Sequence, residues 1–347
     1  MKIDIFFQPG KDFRAYADRM LQAENWGFDA AWSAEWLSNP FFPLTIAAKD
    51  AQRSFTLGTM AAHAFPRSPM ITAQIAWDLT RQSGGRFVLG LAAERPEFLP
   101  AGEGGQPPET VDTMREYIES LRAIWRSFQY DERLRFRGKH YQFRLMAPFF
   151  NPGPINHPEI PIFLSGDDSD VFDLAGQLCQ GLHANMLHSR SYLRDVVVPH
   201  LSRGLATSGR PRKSFELAIP ALVFTPDILE KDLDSQNDRG RAIARYAFAR
   251  RNHSFATYHG WEELLDSLQG SALSGDKGSN WHSLPEEILR EIAIVAEPEG
   301  AAAAIRQRYS GLADRICLVF AFWNPEIIAA IAADLKKPLP GDLADQA

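Results

Sequence analysis

Side chains able to move protons recur in this chain just beyond short apolar runs. Glu35 and Trp36 follow Ala-Ala-Trp-Ser-Ala34, His63 follows Met60-Ala-Ala62, and Glu94 follows Leu91-Ala-Ala93. A carboxylate or imidazole in such a place can act as a general acid or base. Gln8, Ser33, Ala62, Gly166 to Ser169, His183, Asn185 and Trp323 stand at comparable places. A lining that is aromatic with a few polar contacts suits a flat, largely apolar ring held by selected hydrogen bonds. Each residue also has a plainer reading. His63 could bond within a strand-end turn, Glu35 and Glu94 could pair with Arg67 and Arg95, and Trp32, Trp36 and Trp323 could be core or rim packing. His183 with His188, and His253 with His259, lack further ligands at metal spacing, so no metal is expected.

For these residues to meet, the elements before them must end on one face. Apolar, β-prone runs at 2–7, 28–32, 55–61, 86–91, 160–165, 181–186, 215–224 and 315–320 alternate with segments of helical period. Eight such units predict an α/β fold, a (β/α)8 TIM-type barrel, with its site at the carboxyl ends of the strands. Met114, Ile118, Leu121, Trp125 and Phe128 share one helix face. Ser68-Pro69, Thr225-Pro226 and Asn324-Pro325 mark three helix starts, and Ser283-Leu-Pro-Glu286 has capping-box spacing and opens an extra helix. Residues 95–108 are too rich in Gly and Pro for regular structure and predict a mobile loop over the mouth. Leu134 to Leu145 alternates around Gly138 as a hairpin, with the basic run Arg133, Arg135, Arg137, Lys139 as its solvated face, and Asn151-Pro-Gly-Pro154 turns the chain back. The expected organisation is one barrel domain over 1–337, with insertions after strand 4 (95–108) and before strand 5 (133–158), and a tail at 338–347.

Composition agrees with a large buried core. The 347 residues are 45% hydrophobic and 23% charged, and the net charge of −6 lacks the basic footprint that nucleic acid requires. Cys179 and Cys317 sit among apolar neighbours, as buried thiols of a reducing compartment do. The opening Met1-Lys-Ile-Asp-Ile5 does not read as a signal peptide, and no uncharged apolar stretch reaches ~18 residues. A cytoplasmic protein with no membrane partner is expected. Walker, Rossmann, elbow-serine and H-E-x-x-H motifs are absent from the sequence.

Several segments, in this order, resemble the bacterial luciferase-like monooxygenase superfamily. They are Ala23-Glu-Asn-Trp-Gly-Phe-Asp-Ala-Ala-Trp-Ser-Ala-Glu35, Pro66-Arg-Ser-Pro69, Ala73-Gln-Ile-Ala-Trp-Asp-Leu79 and Gly84-Gly-Arg-Phe-Val-Leu-Gly-Leu91, then Met114-Arg-Glu-Tyr117, Leu121-Arg-Ala-Ile-Trp125, Phe136-Arg-Gly-Lys-His-Tyr141, Ile160-Pro-Ile-Phe-Leu164 and Leu174-Ala-Gly176. The set spans nearly the whole chain and looks most like the actinobacterial branch that uses the deazaflavin F420. The resemblance implies a barrel that holds FMN or F420 at its mouth. A bulge after strand 3, often with a non-prolyl cis peptide, would prop the ring, which places Met60, Ala61 and Ala62 at the cofactor. The phosphate would rest on backbone N–H groups at Gly166, Asp167, Asp168 and Ser169, with His183 and Asn185 nearby. Glu94, His63 and Glu35 would serve acid–base steps, and Trp36 and Trp323 would face substrate. Relatives commonly dimerise, so a homodimer is possible.

The departures define the alternatives. Many relatives carry Glu-His where this chain has Glu35-Trp36, and Gly-Leu-Gly where it has Gly90-Leu-Ala92. Asp167 and Asp168 put two negative charges at the expected phosphate nest, and at ~5 Å and an effective dielectric of ~20 each would repel a unit anion by roughly 3 kcal/mol. Either the loop turns them outward, or Asp168 caps the helix and no cofactor binds. The leading expectation is an F420- or FMN-dependent oxidoreductase passing hydride to a small organic substrate. An FMN- and O2-dependent monooxygenase is one alternative. A barrel without cofactor that binds a small molecule or catalyses a cofactor-free reaction is the other.

Overall fold

Alternate residues of the first strand enter different cores, which is the signature of a strand covered on both faces. Ile3, Ile5 and Phe7 join the large core shared with the helices, whereas Phe6 packs with a smaller cluster of Ala30, Trp32, Met60, Val88, Phe163, Ala218 and Cys317. The second cluster draws on five strands and the bulge after a sixth element, and it fills the inside of a barrel. The computed structural model describes residues 1–8, 10–36, 38–52, 54–92, 111–226, 253–264, 266, 285–320 and 323–337.

Its strands are β1 (Lys2–Phe7), β2 (Ala30–Ser33), β3 (Thr56–Thr59), β4 (Ala62–His63), β5 (Phe87–Ala92), β6 (Phe136–Arg137), β7 (Gln142–Phe143), β8 (Ile162–Ser165), β9 (Gly181–His183), β10 (Glu216–Phe224), β11 (Ala293–Val295) and β12 (Arg315–Phe320). Eight of them close a ring in the order β1, β2, β3, β5, β8, β9, β10, β12 and back to β1. Every pairing in that ring is parallel. This is the expected (β/α)8 barrel, and each of the eight predicted runs supplies one barrel strand. Two details differ. The run at 55–61 breaks after Thr59, where Met60 N donates the last rung of the β2–β3 ladder to Ser33 O, and the chain resumes as β4 beside β5. A ninth parallel strand, β11, lies beside the carboxyl end of β10, with Ala293 opposite Leu222.

The helices begin where the sequence marks them. In α1 (Phe13–Asn25) the Asp12 carboxylate accepts from Arg14 N and Ala15 N, and in α3 (Pro69–Ser83), which follows α2 (Phe41–Ala47), Ser68 accepts from Ile71 N ahead of Pro69. Asn324 caps the helix Pro325–Lys336 in the same way. The helix Glu286–Ile292 is present, while Ser283 and the segment after Pro226 lie outside the described residues. In α4 (Val111–Tyr130) Met114, Ile118, Leu121, Trp125 and Phe128 are all buried. The hairpin forms from β6 and β7, and its turn is tied to α4 by the Glu116 carboxylate, which accepts from Lys139 N, His140 N and Tyr141 N. The basic residues of that segment are exposed. Residues 95–108 and 338–347 lie outside the described residues.

At the amino end of the barrel, Arg315 donates to both Asp4 oxygens, at 2.7 and 2.8 Å, and to Glu216 at 3.1 Å. Trp32 Nε1 donates to Asp4 Oδ2, and Lys2 pairs with Glu216. Two buried charges are tolerated here because each has a charged partner and further hydrogen bonds. Among the described residues, no helix is long and apolar enough to cross a membrane.

Candidate active site

The carboxyl ends of β1, β2, β3, β5, β8 and β9 bring most of the expected residues to one end of the barrel. The bulge between β3 and β4 contains a cis peptide at Met60–Ala61, the position the resemblance implies. Thr59 replaces the missing ladder contacts with its hydroxyl, which donates to Gly90 O and accepts from Gly90 N. Gly90 is required there, since a Cβ would run into Thr59 O.

Glu35 braces the bulge. Its carboxylate accepts from Arg67 Nη1 and Nη2 at 2.7 and 2.6 Å and from His63 N at 2.8 Å, and Arg67 Nη1 also donates to His63 O at 3.0 Å. Both ends of the His63 backbone are thus tied to one bidentate ion pair, so the carboxylate read as an acid–base group is engaged as a structural anchor. The pairing with Arg67 was the plainer of its two sequence readings. His63 itself stays half-buried at the mouth, Met60 and Ala62 are buried, and Trp36 is 39% exposed on the rim.

Inside the mouth stands His183. It is fully buried, in edge contact with Trp32 at 4.6 Å between centroids and tilted against Phe163 at 5.1 Å. Neither ring nitrogen has a hydrogen-bond partner among the described residues, and the same holds for the buried Gln8 Nε2 and Ser33 Oγ. Burial pushes His183 down to about 3, with the Arg315 charge adding to the effect, so the imidazole is neutral at physiological pH.

The expected anion nest is the start of α5 (Ser169–Leu178). Gly166 is buried, and a Cβ there would press on Val171. Asp168 occupies the N-cap position, yet its side chain makes no cap hydrogen bond and is exposed. Asp167 is drawn aside by Asn185, whose amide donates to it, while Asn185 Oδ1 accepts from Leu187 N. Asp168 therefore does not fill the nest with its own side chain, which was one of the two arrangements open in the sequence. Tyr192 is the neighbour that no motif signals: burial and then the charges of Asp167 and Asp168 push its hydroxyl up to about 12.

Trp323 makes the packing contacts that were the plainer of its two sequence readings. It packs on Phe7 and Trp26 at 5.7 and 5.9 Å between centroids, with the Arg19 guanidinium 4.9 Å from its ring. Phe7 faces the helices, so Trp323 belongs to the layer between β1 and α1 and not to the barrel lining. Glu94 lies outside the described residues. No group of three or more metal-ligating side chains is found among the described residues.

These features fit a planar heterocycle: buried polar side-chain atoms with no hydrogen-bond partner among the described residues, an aromatic floor, a braced bulge, and a helix start whose N-cap side chain makes no cap hydrogen bond. The aspartate pair is the one element that does not favour an anionic tail. The whole chain is similar to an uncharacterized protein of Mycobacterium tuberculosis, 33% identical over 328 residues, which are 92% of this chain and 94% of that protein. Its fold matches the coenzyme F420 dependent tetrahydromethanopterin reductase from Methanopyrus kandleri, with a TM-score of 0.78 at 18% identity over 96% of this chain and 98% of that one. It also matches the oxygenating constituent of 3,6-diketocamphane monooxygenase from Pseudomonas putida in complex with FMN, with a TM-score of 0.64 at 18% identity over 98% and 100% of the two chains. The family model for luciferase-like monooxygenases matches residues 1–315, and the chain belongs to that family.

Proposed function

We propose that this chain is an oxidoreductase that holds F420 or FMN at the barrel mouth and reduces a small organic substrate in the cytoplasm. The observation that carries the reading is the braced bulge at Met60–His63 standing beside a buried imidazole that no group among the described residues satisfies. When bound and reduced, the cofactor would supply a hydride. The protein's part is to position and to manage protons. Met60 and Ala61 would carry the ring, Glu35 and Arg67 would keep that support from moving, and Trp32 with Phe163 would close the space below it. Hydride addition to a carbonyl, imine or alkene leaves a proton to be supplied, and His63, at the mouth on a fixed backbone, would hold it. The first-turn N–H groups of α5 would meet the tail phosphate, with Asn185 restraining the nearer aspartate.

Titrating the purified protein with FMN and with F420 while following their fluorescence tests this. Saturable binding of one is expected, and binding of neither overturns the proposal. Oxygen uptake with reduced FMN would assign the monooxygenase form. The reading without cofactor is favoured by one observation, the pair Asp167 and Asp168 beside the start of α5, and exchanging both for Gly and Ser would then create affinity that the natural chain lacks.

A further inference from the structure

We propose that His183 is a ligand contact: a neutral imidazole that hydrogen-bonds a polar edge atom of the bound ring from inside the barrel. The inference rests on the cofactor-binding reading above and adds to it a residue that selects for heteroatoms on the ring's inner side.

A histidine at this depth is anomalous as packing. Both nitrogens are buried and neither is paired among the described residues, and an unsatisfied buried polar atom is rare in folded proteins and demands an explanation. The nearby polar groups are committed elsewhere. The Thr59 hydroxyl is engaged with Gly90, the Asn185 amide with Asp167, the Trp32 N–H with Asp4, and the Arg315 guanidinium with Asp4 and Glu216. Rotation of the imidazole is restrained by Trp32 and Phe163 on its sides and by the β5 backbone at Gly90, where an added Cβ would lie 3.2 Å from His183 Cε1. The same Gly90 touches Thr59, the residue that leads into the bulge, so the imidazole stands next to the segment that would carry the ring. A neutral imidazole offers one donor and one acceptor, which complements a heterocycle whose edge carries carbonyls and N–H groups.

A purely structural histidine and a ligand contact differ in what an apolar replacement does to cofactor binding. In either case His183→Leu removes two unsatisfied polar atoms, so the ligand-free protein should gain a few degrees in Tm. If His183 touches the ring, the same variant should bind the cofactor that the natural protein prefers about tenfold more weakly, with a displaced absorption band for the bound chromophore. His183→Asn, which keeps a donor and an acceptor, should recover most of the affinity and the band position. The measurement is therefore Tm without ligand, and fluorescence titration and absorption spectra with FMN and F420, for natural, Leu and Asn proteins. Leu and Asn variants that bind alike, or a Leu variant that binds as the natural protein does with the same spectrum, overturn the role of His183 while leaving the cofactor site in place. Absence of binding by the natural protein removes both.

Discussion

Two buried histidines differ in how the protein satisfies them, and the difference fixes their protonation. His188 Nδ1 lies 2.7 Å from Asn185 O, a group that can only accept, so Nδ1 carries the proton and Nε2 accepts from the Tyr309 hydroxyl at 3.1 Å. Burial pushes His188 down to about 4 and His183 down to about 3. Both values lie below the ordinary 6.5, so the unfolded chain takes up protons first as pH falls. Their stabilising contribution is complete above about pH 6.5 and drains away as pH falls toward 4, at up to ~1.4 kcal/mol per pH unit for each group. Urea unfolding between pH 7.5 and 5 should show the midpoint falling before carboxylates titrate, and His188→Gln should lose part of that slope. A midpoint that stays level over this range would mean that the folded imidazoles take up protons as the unfolded chain does, which contradicts their lowered values.

At the scale of elements, α5 is held by a close backbone contact as well as by its buried side chains Val171, Phe172 and Leu174. A Cβ on Gly204 would run into Asp173 O, and one on Gly176 would lie 2.6 Å from Leu201 O, so backbones of α5 and the helix Val198–Thr207 meet through two glycines. Gly204→Ala should cost ~1–3 kcal/mol by forcing these helices apart, and it should loosen the start of α5. Gly300, in the helix Pro298–Tyr309, has nothing within 4 Å of an added Cβ, and Gly300→Ala should stabilise by up to ~1 kcal/mol. Chemical denaturation of both variants checks the opposite signs; two changes of the same sign would contradict the contact. The elements themselves were legible because strands buried on both faces read as continuous apolar runs and because Ser68 and Asn324 mark helix starts by capping chemistry. β11 was not legible, since Ala293–Val295 is three residues long and continues the apolar pattern of the preceding helix. Side-chain direction beyond a strand end was the weaker inference: Trp323 lies three residues past β12, where the period of two no longer fixes a face. Glu35 with Arg67 was visible as one of two alternatives, whereas the isolation of His183 depends on how every neighbour is already bonded, which no local pattern encodes.

The molecule as a whole is closed by its two ends. β1 pairs with β12, and the Asp4–Arg315 ion pair joins residues 311 apart in sequence across that seam, at the end of the barrel opposite the mouth. Both side chains are nearly inaccessible, 0% and 3% exposed, so removing either partner strands a charge that water cannot reach. Asp4→Leu or Arg315→Met alone should therefore cost ~3–5 kcal/mol. The double variant should cost less than the sum, because the stranded charge disappears and Glu216 keeps Lys2 as a partner. It should not be neutral, since the Trp32 N–H loses its acceptor, a loss of ~1–3 kcal/mol. Equilibrium unfolding of the four proteins measures the coupling, and additive losses would mean that the pair does not hold the seam.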